Sequence, residues 1–127
     1  MLDRSLSDEL LRCRPWIEAA LEYSGGTHLF EDIVEGVYSQ RMQLWPAEHG
    51  CIVTEMVDYP RKRVLHVFLG GGELQQILDM HKDVLHWAKL HGCSDLTMTG
   101  RLGWKKPLAE HGWKVVHQSY AKEIKDE

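Results

Sequence analysis

Residues 65–78 read LHVFLGGGELQQIL. An apolar run meets three glycines, and a helical pattern starts at once. Strand, glycines and helix in this order form the local shape of many phosphate-binding sites. Free backbone N–H groups and the helix dipole favour an anion there. The same letters also describe a tight turn without a ligand, because glycine adopts left-handed backbone at no steric cost. Residues 64–69 are apolar everywhere except His66, which predicts a central strand covered on both faces. In residues 73–91, Leu74, Ile77, Leu78, Val84, Leu85 and Ala88 fall on one side at about 100° per residue, opposite Gln75, Asp79, Lys82, Asp83 and His86. One long helix closed by Gly92 is predicted.

On the N-terminal side, residues 51–57 and 64–69 flank Asp58-Tyr59-Pro60-Arg61-Lys62, a turn composition that predicts a hairpin. Residues 42–45 form a short strand stopped by Pro46, as at a sheet edge. Pro15 is placed to open a first helix, with Ile17, Ala20 and Leu21 on its apolar face, and Ser24-Gly25-Gly26 ends it. Thr27 is the N-cap candidate of a second helix with the stripe Leu29, Phe30, Ile33, Val34, Val37 and Tyr38. Gly36 within it costs about 1 kcal/mol relative to alanine and suits close packing. On the C-terminal side, residues 95–99 read as a strand, 103–111 as a short helix distorted near Pro107, and 113–122 as a last strand centred on Val115 and Val116. This order predicts an α/β (α+β) domain spanning residues 1–127. Its mixed, largely antiparallel sheet is flanked by helices, and the long helix carries the chain to a strand parallel to the central one.

The chain has 127 residues and a formal net charge of −4. Residues 1–60 carry 4 basic and 11 acidic side chains, 61–100 carry 5 and 4, and 101–127 carry 6 and 4, giving −7, +1 and +2. An acidic first half argues against a nucleic-acid partner, which selects a basic stripe. No apolar run nears the roughly 20 residues that span a bilayer, and the N-terminus lacks a secretory pattern, so a cytoplasmic location is expected. Cys13, Cys51 and Cys93 are odd in number and far apart, and they read as reduced thiols rather than a disulfide framework. No metal site is expected. His81, His86 and His91 turn about 140° from one another on a helix and cannot share one ion from one face.

This order resembles the GNAT superfamily of acyl-CoA-dependent N-acetyltransferases over about residues 15–122. The most telling stretch is DLTMTGRLGWKKPLAEHGWKVVHQSYAKEI at residues 95–124. A strand, a short helix and His-Gly-Trp look like the family's strand, helix and Leu-Gly-Phe before the last strands. Gly-Arg-x-Gly-Trp followed by Leu and Gly-Trp is similar to short acetyltransferase-like proteins of tailed phages and prophages. The resemblance implies that the central strand splays from its neighbour and that the acyl-pantetheine arm of acetyl-CoA lies in the gap. It implies a pyrophosphate on Gly70, Gly71, Gly72, Glu73 and Leu74, with Lys105 and Lys106 near a phosphate. The chain departs from the family's pattern in two places. No Arg or Lys occurs from Val64 to His81, and the tyrosine that many members place on the short helix is Leu108.

Acetyl transfer to an amine needs a proton acceptor. Glu55 and His66 on the hairpin and Tyr120 on the last predicted strand are the catalytic candidates. His66 interrupts an apolar strand, and it also reads as a satisfied structural histidine. Trp104, after Arg101 and Gly103, is either a binding hot spot or a cover for the core's edge. Two functions follow. One is an N-acetyltransferase acting on an unidentified amine. The other is a catalytically silent interaction module, binding a phage structural protein, in the virion or with copies of itself.

Overall fold

The computed structural model describes residues 5–100 and 102–124. Helices α1, Leu6–Leu21, and α2, Phe30–Tyr38, come first. Strands β1, Met42–Ala47, β2, Gly50–Asp58, and β3, Arg63–Gly72, follow. Next come α3, Leu74–Asp79, α4, His81–Leu90, and β4, Asp95–Met98. A 3-10 turn at Leu102–Trp104 enters α5, Lys105–Ala109. The sheet order is β1-β2-β3-β4, with β3 and β4 parallel and the other pairs antiparallel. This is the mixed, largely antiparallel sheet that the sequence predicts.

Each face of the sheet carries a core. Leu10, Cys13 and Ile17 of α1 and Phe30, Ile33 and Val37 of α2 pack with Cys51, Val53 and Leu69. On the other face, Ile77 of α3 and Val84 and Ala88 of α4 pack with Ile52, Leu65 and Val67. Cys13 and Cys51 are buried thiols that hydrogen-bond to each other, and that bond, together with burial, pushes the Cys51 thiol up from its ordinary pKa. Cys93 is half-buried.

One irregularity organises the sheet. Val53 lies opposite Leu69 and Thr54 opposite Val67, so Phe68 is an extra residue in β3. The bulge breaks the period-two alternation. Leu65 and Val67 join the α3–α4 face, whereas Leu69 and the half-buried Phe68 both join the α1–α2 face.

The three glycines are the last residues of β3 itself rather than a loop after it. Gly70, Gly71 and Gly72 pair with Ile52, Cys51 and Gly50. A Cβ on Gly71 would lie 2.6 Å from the Trp16 carbonyl oxygen, so the α1 backbone rests directly on β3 there. Gly72 has φ 96°, and a Cβ on it would overlap Gly50 Cα and the His49 carbonyl. Packing against protein backbone explains both residues.

Other expectations change as well. Pro15 lies inside α1, whose N-cap is Ser5, its hydroxyl accepting from the Asp8 N–H at 3.0 Å. Proline removes the bond to the carbonyl four residues back, that of Leu11, and Leu11 is exposed enough for water to serve it. Leu29, not Thr27, caps α2; its N–H donates to Asp32 Oδ2 at 2.8 Å. Pro46 is accommodated within edge strand β1. The predicted long helix is two, α3 and α4, meeting at Met80. Residues 113–122 form no strand and have no sheet partner among the described residues; Trp113 is half-buried and the rest are exposed. Close packing at Gly36 holds, since a Cβ there would meet Met42 Sδ at 2.7 Å.

Gly71→Ala is expected to cost about 1–3 kcal/mol by forcing α1 off β3, lowering Tm by about 4–11 °C. Gly103→Ala, where a Cβ meets open space, leaves Tm within about 2 °C. Thermal unfolding followed by circular dichroism checks the contrast.

Candidate functional site

Pairing of β3 with β4 stops at Val67 opposite Met98. The Thr99 N–H reaches the Val67 carbonyl at 3.5 Å, and beyond it β3 continues to Gly72 without a neighbour on that side among the described residues. Separation begins at the bulged residue, Phe68. A bulge increases twist and terminates pairing, which accounts for the coincidence. A gap therefore opens between β3 and the chain leaving β4. The Trp104 ring stands on one side of it, 3.4 Å from a Cβ built on Gly70 and 3.3 Å from one built on Gly100. Trp104 thus covers the edge of the α3–α4 core; Arg101, which the sequence pairs with it, lies outside the described residues. On the other face, His28 meets the Phe68 ring edge-on with centroids 4.7 Å apart.

His66 sits at the vertex of the gap. Its Nδ1 lies 2.8 Å from Thr97 Oγ1 and its Nε2 lies 3.2 Å from Thr99 Oγ1. Glu55 is its direct cross-strand neighbour on β2. Burial pushes the imidazole pKa below the ordinary histidine value, and the Glu55 charge pulls it part of the way back. The ring is therefore neutral at pH 7, with one nitrogen donating and the other accepting. Thr97 and Thr99 are neighbours of His66 that sequence reasoning missed. Their spacing in Asp95-Leu96-Thr97-Met98-Thr99 carried the signal, because alternate residues of a strand share a face.

The other candidates lie apart from this vertex in different ways. Tyr120 stands in the exposed C-terminal segment, where its hydroxyl donates to Gln118 Oε1 at 2.6 Å. Lys105 and Lys106 open α5, exposed, directly after Trp104. Glu73 is the N-cap residue of α3, and its N–H donates to the His49 carbonyl at 2.8 Å. Gln76 Oε1 accepts from the His49 N–H at 2.6 Å. Arg12 donates to the Ala47 and Glu48 carbonyls at 2.7 and 3.0 Å. The β1–β2 turn is thereby tied to α1 and to the start of α3. Leu74 is half-buried in the first turn of α3. An apolar cavity of about 30 Å³ lies behind the vertex, walled by Val67, Met98, Leu108 and Trp113. Among the described residues no three His, Cys, Asp or Glu side chains are placed to hold a metal ion. No helix of the described residues is long and apolar enough to cross a membrane.

No protein-family model and no curated protein sequence matches the chain. Solved structures do match. A probable acetyltransferase superposes with TM-score 0.68 at 12% identity, over 98% of this chain and 97% of that one. A transcriptional regulator from Bacillus halodurans C-125 gives 0.68 at 10% identity, over 97% of each chain. An aminoglycoside acetyltransferase from an uncultured soil metagenomic sample, solved with sisomicin, gives 0.63 at 10% identity over 95% of each. The fold is the GNAT acetyltransferase fold. Identities this low carry the architecture and nothing finer. In GNAT terms, β3 is the central strand that the resemblance anticipates, and its parting from β4 is the anticipated splay.

A folded-state pKa below the ordinary value gives stability a definite pH dependence. Below about pH 6.5 the unfolded chain binds the His66 proton more tightly than the folded chain. Stability contributed by the neutral ring is therefore present above that pH and is lost as pH falls through the depressed pKa. Urea unfolding midpoints should drop between pH 7.5 and pH 5, and His66→Asn should reduce the drop. The His66 ring protons should titrate, by NMR, below the ordinary histidine value.

Proposed function

We propose that the protein transfers an acyl group from an acyl-CoA to an amine, with His66 as the proton acceptor where β3 and β4 part. The observation that carries the reading is the coincidence of a neutral, hydroxyl-bound imidazole with the vertex of an open strand edge. Backbone groups on the free edge of β3 from Phe68 onward suit an extended, amide-containing chain such as the pantetheine arm, much as a sheet edge accepts a peptide. The residues present fit that arm better than they fit a glycine cradle for pyrophosphate. The Trp16 backbone lies against buried Gly71, the Gly50 backbone occupies the Cβ side of Gly72, and the Glu73 N–H is already bonded. Positive charge for the phosphates comes instead from Lys105 and Lys106.

Acetyl-CoA supplies an activated thioester. His66 takes the proton that the substrate ammonium must lose before attack. Donation from Nδ1–H to Thr97 leaves the Nε2 lone pair facing Thr99, whose longer bond yields to the incoming amine. The nitrogen–carbon bond forms as the carbon–sulfur bond breaks, and the thiolate takes its proton from water. Glu55 stabilises the imidazolium formed at His66. Tyr120 has no part in this scheme.

A second reading keeps the fold without the chemistry. It is favoured by Leu108, a cavity-lining residue where a thiolate-protonating tyrosine is common, and by the absence of Arg and Lys from residues 64–81. In that reading the protein is an interaction module, with a phage structural protein as its partner.

The two readings separate in an assay of CoA thiol release from acetyl-CoA with a panel of primary amines. The enzyme reading expects amine-dependent release. His66→Gln lowers kcat by about 10²–10⁴-fold with KM for acetyl-CoA nearly unchanged. Amine-independent background alone, across the panel, leaves the interaction module.

A further inference from the structure

Two of the cysteines meet where α1 crosses β2. Cys13 and Cys51 are both 0% exposed and belong to the same core. Their meeting follows from how α1 lies on the sheet. The Trp16 backbone rests on Gly71, and Gly71 pairs with Cys51. Cys13 is about one turn before Trp16, and residues three apart share a helix face. Beside it, Arg12 donates to the Ala47 carbonyl at 2.7 Å, and Ala47 pairs with Gly50. Contacts on both sides thus seat Cys13 over Cys51. The Cys51 thiol donates to the Cys13 sulfur. That bond holds the Cys13 thiol below its ordinary pKa against the effect of burial, and the Arg12 charge adds to the lowering. One sulfur has thiolate character and the other touches it, as an attacking and a resolving cysteine do. Cys93 packs against the α3–α4 core, with the sheet between it and this pair.

We propose that Cys13 and Cys51 form a reversible dithiol–disulfide site that a hydroperoxide closes, stapling α1 to β2. Burial selects both reactants. The thiol of another molecule has no approach to either sulfur, so each has the other as its partner. A small peroxide enters when α1 opens locally. The Cys13 thiolate attacks the terminal peroxide oxygen, the O–O bond breaks, and a sulfenic acid forms. The departing alkoxide or hydroxide recovers from solvent the proton that Cys13 gave up. The Cys51 sulfur then attacks the Cys13 sulfur, the S–O bond breaks, and the leaving hydroxide takes the Cys51 proton as water. The two thiols together lose two electrons, and the peroxide gains them. Where thiols are kept reduced, the open dithiol is the resting form. The site is independent of the acyl-transfer reading.

Mass spectrometry tests it on the folded full chain after exposure to about 1 mM hydrogen peroxide, with alkylation of the remaining thiols in denaturant. The expected product is a monomer that has lost two hydrogens and keeps a single alkylatable thiol, that of Cys93, with the Cys13 and Cys51 peptides joined. Dithiothreitol in denaturant restores both thiols. Cys93→Ala forms the same link, and Cys51→Ala forms no internal link. Closing a loop of about 40 residues should raise Tm by about 5–15 °C. Wild-type chain that keeps all its thiols alkylatable overturns the proposal. So does a link through Cys93 or between two chains in place of the internal one, or higher oxides of Cys13 without a link. A linked form that melts no higher than the dithiol overturns the staple.

Discussion

Phe68, one residue more than β2 can match, is the constraint on which the rest of the sheet depends. Before it, β3 alternates normally and holds β4 in parallel register. After it, the strand's faces exchange, Leu69 goes to the α1–α2 core, and β4 can no longer follow. Without the extra residue, β3 and β4 could pair beyond Met98, and His66 would be an ordinary mid-sheet position. With it, His66 stands where the sheet opens. Its two hydroxyl partners, Thr97 and Thr99, lie on the last paired and first unpaired parts of the neighbouring chain.

The glycines serve the same geometry from the other side. A strand that bends at a bulge needs support beyond it, and β3 gains this by letting backbone approach backbone. The Trp16 carbonyl rests on Gly71, and Gly50 rests on Gly72. Arg12 and Gln76 then hold the β1–β2 turn between α1 and α3 by bonds to main-chain groups. Few side chains separate α1, β2 and β3 at this end, so small volume changes there are felt as strain rather than absorbed.

Much of the architecture was legible in the sequence because it rests on local chemistry. The Asp58-to-Lys62 turn, the two strands beside it and the crossover to a parallel strand follow from turn composition and periodicity. His66 was visible as the one polar residue of an apolar strand. Other features depended on contacts distant in sequence. Phe68 is apolar, as either face would require, so nothing in the letters reveals the bulge. Three glycines before a helical pattern look the same whether they meet a phosphate or the backbone of Trp16. Pro15 reads as a helix start until the exposure of Leu11 shows where the lost bond goes. Val115 and Val116 have strand character, but forming a strand takes a partner edge, and the segment pairs with none among the described residues.

In the proposed reading the acyl-CoA edge starts at the bulge, and the glycines serve packing alone. Backbone amide NMR during titration with acetyl-CoA tests it directly. The account predicts shift changes concentrated at Phe68, Leu69 and residues 98–100, with Gly71 and Gly72 nearly unmoved. Changes centred on Gly71, Gly72 and Glu73, with Phe68 and Leu69 silent, would contradict it and restore the glycines as a phosphate cradle.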